Sequence, residues 1–349
     1  MPTRVLIVED SPVMQRLLAD LIGRDPGLEV AGVAGDPYEA RELVKALRPD
    51  VMTLDVEMPR MDGLTFLERL MRLHPMPVVM VSSLTERDAE ASLRALELGA
   101  VDVIAKPRGA DAHGLAEFAA SIADSLHAAA RAELGAAPRR PLSSRLLEGP
   151  ADRRLLEGQL IAIGASTGGT EAIREVLVRL PANTPPVVIV QHMPEMFTRM
   201  FAKRLDEQCA LSVCEAVDLQ RLEPGCAYVA PGNFHLSIKR AGKGFEARVD
   251  QAPPVNRHRP SVDVLFNSVA AAAGKGATAV ILTGMGGDGA AGLRRIKQAG
   301  GHTVAQDEAS CVVFGMPKTA IDTGCVDRVA PLGAIAERVL ARVREVSAQ

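Results

Sequence analysis

Residues 51–63 read VMTLDVEMPRMDG. A short, largely apolar run, Val51–Leu54, stops at Asp55, and Pro59 and Gly63 punctuate the loop behind it. A run of that length bounded by turn residues is the pattern of a strand buried on both faces, as in a parallel sheet. Asp55 then falls at the carboxyl edge of the sheet. The same form recurs outward, as VLIVED at 5–10, VVMVSS at 78–83 and VDVIAK at 101–106, with a further apolar run at Val30–Val33. Amphipathic stretches at Val13–Ile22, Tyr38–Leu47, Leu64–Leu73 and Ala89–Leu98 lie between the runs, and a fifth helix is predicted over about His113–Ala132. Each spacer is long enough for a right-handed crossover helix. The alternation predicts five βα units in a doubly wound α/β domain of strand order 2-1-3-4-5. In that order strands one and three are neighbours, and the crevice at their carboxyl ends takes the ligand.

Glu9 and Asp10 end the first strand, Asp55 ends the third, and Glu57 follows two residues later. Carboxylates gathered in one crevice repel each other unless a cation or a raised pKa relieves them. Hard oxygen ligands with open water positions suit Mg²⁺. The alternative is that Glu9 and Asp10 only cap the first helix, with Asp55 in a solvated loop. Ser82 and Lys106 close strands four and five. A hydroxyl and an ammonium facing a carboxylate and a cation make a phosphoryl-handling site. Its carboxylate nucleophile is Asp55.

After residue 132 the text changes. Residues 133–154, ELGAAPRRPLSSRLLEGPADRR, hold three Pro and five Arg with no sustained periodicity, and read as an exposed basic linker. A second α/β half follows. Strands are predicted at Leu160–Ile163, Val187–Gln191, Ala227–Ala230, His235–Ile238 and Ala279–Thr283, with a strand-rich region over Cys209–Asp250. Helices are predicted at Thr170–Leu180, Val262–Ala273 and Ala290–Ala299.

GASTG at 164–168 follows the first of these strands and opens a helix. Backbone N–H groups at a helix N-terminus could cradle a phosphate, but the spacing is not G-x-G-x-x-G. The stretch does match G-x-S-x-G, a nucleophile on a strand-to-helix turn. His192, in QHMP, ends the next strand, and Asp288 lies in GMGGDG after Ala279–Thr283. Read singly, these are a Gly-rich turn, an ordinary histidine and a turn aspartate. Read together, three parallel strand ends bring a serine, a base and an orienting carboxylate to one rim. Their order, Ser…His…Asp, differs from the Ser…Asp…His order of α/β-hydrolases.

Composition excludes several classes. The 349 residues carry a formal net charge of −3, no Trp and two Tyr, which argues against a generally basic or base-stacking nucleic-acid binder. No apolar stretch approaches the ~18 residues of a membrane span. The N-terminus lacks a signal-peptide pattern. Five Cys without C-x-x-C or metal spacing fit reduced thiols in a cytoplasmic protein.

VLIVEDSP, LDVEMPRMDG, MVSS and the AKP containing Lys106 resemble a response-regulator receiver domain. IGASTGG, QHMP, NRHRPSVDVLF and GMGGDG resemble the catalytic domain of the chemotaxis protein-glutamate methylesterase family, CheB. The resemblance divides the chain into a receiver (1–128), a linker (129–154) and a Rossmann-like catalytic domain with a mostly parallel sheet (155–349). It implies phosphorylation of Asp55 by a histidine kinase, with Mg²⁺ held by Glu9, Asp10, Asp55 and the Glu57 carbonyl. Ser82 and Lys106 take the switching roles. It implies a triad of Ser166, His192 and Asp288, with Thr167 and Met285 near the reacting carbonyl and the Met285 N–H as an oxyanion donor. The expected activity is demethylation of glutamate methyl esters and deamidation of glutamines on chemoreceptors. No nucleic acid or membrane insertion is involved, and no cofactor serves ester hydrolysis. A receiver-controlled hydrolase or regulator with a different target is the alternative. One departure stands out: many receivers carry an aromatic residue three positions before the lysine, and here that residue is Val103. The polar stretch Asn256–Asp263 receives no chemistry at this level.

Overall fold

A computed structural model describes residues 1–83, 85–107, 112–132, 146–147 and 156–347. The chain divides into two compact units, Met1–Ala136 and Ala137–Gln349. Of the expected linker, residues 133–145 and 148–154 lie outside the described residues, and Ala129 and Ala130 still belong to a helix.

The first unit runs β1 (Thr3–Val8), α1 (Pro12–Gly23), β2 (Leu28–Ala34), α2 (Pro37–Leu47), β3 (Val51–Asp55), α3 (Gly63–Leu73), β4 (Val78–Ser82), α4 (Glu86–Glu97), β5 (Asp102–Ala105) and α5 (Ala112–Ala130). Its five strands are parallel in the order β2-β1-β3-β4-β5, as the alternation predicts. Every residue of β3 and β4 is buried, which is why these strands read as continuous rather than alternating runs. The helices start on local chemistry. Ser11 caps α1, and Asp36 and Asp62 accept backbone N–H groups at the starts of α2 and α3. The cap of α1 is therefore Ser11 and not Glu9 or Asp10. Glu9 only accepts the Ser11 N–H through Oε1, at 3.2 Å.

The second unit runs β6 (Leu160–Ala165), α6 (Gly169–Leu177), β7 (Val187–Gln191), α7 (Phe197–Asp206), β8 (Ser212–Glu215), β9 (Arg221–Leu222), β10 (Cys226–Val229), β11 (His235–Ala241), β12 (Gly244–Asp250), α8 (Val262–Ala273), β13 (Ala277–Ile281), α9 (Ala290–Gln298), β14 (His302–Gln306), α10 (Met316–Asp322), β15 (Arg328–Ala330) and α11 (Leu332–Ser347). Seven strands form a sheet in the order β15-β14-β13-β6-β7-β10-β8, every pair parallel. The strand-rich region divides: β8 and β10 join that sheet, while β9, β11 and β12 make a small antiparallel one. The sequence reading does not reach α7, β14, β15, α10 or α11, and α6 ends three residues before the expected Leu180.

Helix α8 ties the two sheets together. Its Val262, Leu265, Phe266 and Val269 share one buried cluster with Ala162, Val188 and Ala279 of the parallel sheet and Leu236, Ile238 and Phe245 of the antiparallel one. Gly164 makes this approach possible, because a Cβ there would stand 2.2 Å from a Val262 methyl. The N-terminus of α8 is thereby held beside the end of β6. The cysteines are all free; Cys311 and Cys325 are buried and Cys214 is exposed.

Candidate active site

The register of three strands brings the catalytic candidates together. β6 lies between β7 and β13, with Ala165 opposite Gln191 and Gly164 opposite Ile281. The bonding continues past the strands. His192 N–H donates to Ala165 O, and Ser166 N–H to Thr283 O, at 3.1 and 3.0 Å. Ser166 and His192 are therefore the first residues beyond adjacent strand ends, and the loop carrying Asp288 leaves the third. Gly284 is required here, since a Cβ would meet Ser166 Cβ at 2.7 Å and Met316 Sδ at 2.4 Å. Gly169 plays the same part for Gln191, whose Oε1 would lie 2.2 Å from an added Cβ. The Gln191 amide nitrogen donates to Ser166 O and His192 O, tying the two strand ends to each other.

His192 Nε2 donates to Asp288 Oδ2 at 2.9 Å. Its Nδ1 is buried and has no hydrogen-bond partner among the described residues. Asp288, 3% exposed, also accepts from Val262 N (2.7 Å), Asp263 N (3.2 Å), Ser261 Oγ (2.8 Å) and Asn256 Nδ2 (2.7 Å). Burial alone pushes this carboxyl up, but His192 and the other donors hold it well below the usual carboxylate range. Asp288 thus remains an anion that orients the imidazole and does not take a proton from it. It also caps α8 from outside. Ser261 occupies the N-cap position yet makes no capping bond, because its hydroxyl is turned to Asp288.

Thr167 is buried, and its carbonyl accepts from Thr283 Oγ1 at 2.9 Å. Met285 is half-buried in the loop after β13, and its N–H donates to no group among the described residues.

Four residues that sequence reading left without a role belong to this site. Asn256 Nδ2 bridges Asp288 Oδ1 and Asp263 Oδ2, at 2.7 and 2.8 Å. Asp263 accepts Gly292 N–H at 2.6 Å and so anchors α9. Ser261 bonds Asp288, and His258 stacks on His192. All come from NRHRPSVD. The available signal was a dense polar stretch immediately before an apolar helix.

The receiver candidates converge separately. Oxygens of Glu9, Asp10 and Asp55 lie within 4.8 Å of one another. Glu9 and Asp55 are buried, while Asp10 is exposed. Lys106 Nζ reaches both Glu9 Oε2 and Asp55 Oδ2, at 2.9 Å each. Burial raises the Asp55 and Glu9 carboxyls above their ordinary values, and the two carboxylates repel; Lys106 offsets part of this. The backbone N–H groups of Val56 and Glu57 also approach Asp55, while the Glu57 side chain is exposed. Ser82 ends β4 fully buried, its carbonyl accepting Lys106 N–H at 2.7 Å and its hydroxyl making only a long 3.4 Å contact with Ser83 O. Gly63 packs on Asp55, where a Cβ would lie 2.0 Å from the Asp55 carbonyl. Val103 is buried in β5. Three hard-oxygen groups with surplus negative charge are a suitable donor set for a small divalent cation.

Comparison with known proteins agrees with this geometry. The family model for the CheB methylesterase matches residues 161–339, and that for the response regulator receiver domain matches residues 5–113. The protein-glutamate methylesterase/protein-glutamine glutaminase of Thiobacillus denitrificans is 56% identical over 97% of this chain and 96% of its own length. A Geobacter metallireducens protein of the same description is 54% identical over 97% of this chain and 95% of its own. The crystal structure of the Thermotoga maritima CheB methylesterase catalytic domain is 41% identical, with a TM-score of 0.52 over 53% of this chain and 98% of that one. Among the described residues no helix is long and apolar enough to cross a membrane. The chain therefore belongs to the CheB methylesterase family, with a response-regulator receiver domain ahead of the methylesterase domain.

Proposed function

We propose that this chain demethylates glutamate methyl esters, and deamidates glutamines, on cytoplasmic segments of chemoreceptors, and that phosphorylation of Asp55 by a histidine kinase controls the rate. One observation carries the catalytic half: Ser166 and His192 leave adjacent parallel strand ends, and His192 is bonded to a fully satisfied, ionised Asp288. With Nε2 engaged by Asp288, Nδ1 is the nitrogen that takes the Ser166 proton as the hydroxyl attacks the ester carbonyl. The tetrahedral oxyanion would be served by the Met285 N–H, which donates to no group among the described residues, and by the positive N-terminal end of α6. His192 then gives its proton to the leaving group as the bond to carbon breaks: the methoxy oxygen leaves as methanol, or in the amide case the amide nitrogen leaves as ammonia. Water, activated by the same nitrogen, hydrolyses the acyl-enzyme and frees Ser166.

In the receiver, Glu9, Asp10, Asp55 and the Glu57 carbonyl would hold Mg²⁺, which supplies charge neutralisation for phosphoryl transfer. Lys106 lies against Asp55 before phosphorylation and is placed to pair with a phosphoryl oxygen after it. The buried Ser82 hydroxyl has no strong acceptor of its own, so it is available to the same group.

The test is methanol release from methylated receptor membranes, with and without a small-molecule phosphodonor and Mg²⁺. Ser166→Ala is expected to lose at least about 10⁴-fold in rate while Asp55 still takes up phosphate. Asp55→Asn is expected to keep the basal rate and lose its response to phosphodonor. Unchanged release from Ser166→Ala would sink the triad.

A further inference from the structure

One neighbour of the base contributes no hydrogen bond to the site. The His258 ring lies against the His192 ring with centroids 3.7 Å apart and planes 13° from parallel. His258 is fixed through its backbone: it exchanges hydrogen bonds with Val255, at 2.9 and 3.1 Å. These close a turn in which Asn256 and Arg257 both adopt positive φ, 53° and 66°. Two successive left-handed residues are the geometry of a type I′ turn, and for Arg it is a strained one. Such a turn persists where its surroundings hold it. Here the holding contacts are the Asn256 bonds to Asp288 and Asp263. The turn that delivers Asn256 to Asp288 thus delivers the His258 ring to His192. Burial pushes the His258 imidazole down to about 3, and the charges of His192 and Arg257 add to this while Asp288 opposes it. The ring is uncharged at any working pH.

An imidazole bonded at a single nitrogen can swing about that bond. Among the described residues His192 has one side-chain bond, to Asp288, and its Nδ1 has none. We propose that His258 is a positioning residue for the general base: its stacked face fixes the plane of the His192 ring, keeps Nδ1 ready for the Ser166 proton, and lies against the imidazolium as it forms. A cation over an aromatic face is attracted by the ring's electron density, so the stack favours the charged form made during attack. His258 packs on the face of the base and adds no hydrogen bond to it among the described residues. It acts through His192, and the inference rests on the triad reading above.

The experiment uses the full chain and two readouts, methanol release and the rate of covalent labelling by a fluorophosphonate, which reports nucleophile activation without receptor docking. His258→Ala is expected to lower kcat and the labelling rate about 10- to 100-fold, with KM within about twofold. His258→Phe keeps an aromatic face but has no ring nitrogen, and is expected to recover to within about threefold of wild type. A His258→Ala enzyme at wild-type rate overturns the proposal. So does a folded His258→Phe enzyme no faster than His258→Ala, because the imidazole nitrogens would then be what matters. Thermal unfolding and Asp55 phosphorylation report whether each variant folds; if His258→Ala does not, His258→Phe alone decides. Labelling that persists in Ser166→Ala removes the triad reading and this proposal with it. Labelling lost there but unchanged in His258→Ala removes the stack alone.

Discussion

Asp55 and Asp288 are almost equally hidden, 4% and 3% exposed, yet their surroundings drive them in opposite directions. Both carry the desolvation cost of a buried charge. At Asp55 that cost dominates, and the carboxyl is raised despite Lys106, with Glu9 nearby as a second carboxylate. At Asp288 five donors surround two oxygens, and the carboxyl is held low. Burial therefore does not set the state of an acid; the number and sign of its partners do. The receiver carboxylates are left under-supplied, which suits a site that recruits a cation and a phosphoryl group. Asp288 is over-supplied, which suits a group that must stay charged while a proton moves elsewhere.

The largest effect expected from disturbing this contrast is at Asp288. Asp288→Asn keeps the shape but replaces an all-acceptor group with one that must also donate. Oδ2 accepts from two of the five donors and Oδ1 from three, so at least two donors then face an amide N–H, and the His192 tautomer is no longer held. A loss of about 10⁴-fold in kcat is expected, with Asp55 phosphorylation unchanged. Leaving a buried donor unsatisfied is also expected to lower stability by about 1–3 kcal/mol, read by denaturant unfolding of the catalytic unit. A variant with more than a tenth of wild-type kcat would show that Asp288 is a cap for α8 and not a member of the triad.

A smaller effect is expected at Asn256. Asn256→Gly keeps the positive φ at no steric cost but removes the amide shared by Asp288 and Asp263. The two carboxylates then face each other without a donor between them. The expected result is a loss of about tenfold in kcat and of about 1–3 kcal/mol in stability. Asn256→Ala adds about 1 kcal/mol of backbone strain to the same loss, so the difference between the two variants isolates the turn from the hydrogen bonds. Equal stability of the two would mean that the left-handed turn carries no strain.

The sequence was legible where periodicity carries geometry. Short apolar runs before Asp55, Ser82 and Lys106, alternating with amphipathic stretches, argue for buried parallel strands, and strand order then places their ends in one crevice. The same logic brings Ser166, His192 and the Asp288 loop to one rim, because each directly follows an apolar strand. Asn256, His258 and Ser261 follow no strand. They reach the site through an irregular segment whose path is set by its contacts with Asp288 and by the approach of α8 to Gly164. No period marks such a segment. The interior strand β14 and the edge strand β15 stay hidden for a related reason: three of the five residues of HTVAQ are polar and RVA is only three residues long, so neither stands out before its neighbours in the sheet are known.

The smallest effect expected is thermodynamic, and it separates the two aspartates by sign. Asp288 has a folded pKa below its unfolded value of about 3.9. Its contribution is complete above pH ~4 and is lost only as pH falls through the folded value. Asp55 and Glu9 have folded values above their unfolded ones, so the folded receiver binds protons more tightly than the unfolded chain. Its stability therefore rises as pH falls from 7 toward about 4. The rise is about 1.4 kcal/mol for each pH unit that separates a carboxyl's folded value from its unfolded one. Hydrogen exchange on the intact chain reads both domains at once. The comparison is made in a His127→Gln background, which removes the His127–Asp25 contact from the receiver. Amides of β1 and β3 are expected to gain protection as pH falls from 7 toward about 4, while those of β13 stay unchanged. Saturating Mg²⁺ binds the ionised carboxylates, and at 100 times its Kd it stabilises the neutral-pH receiver by about 2.7 kcal/mol. It should then abolish or reverse the gain at low pH. A receiver that loses protection on acidification without Mg²⁺ would mean that Lys106 outweighs burial at Asp55, and that the two aspartates are alike after all.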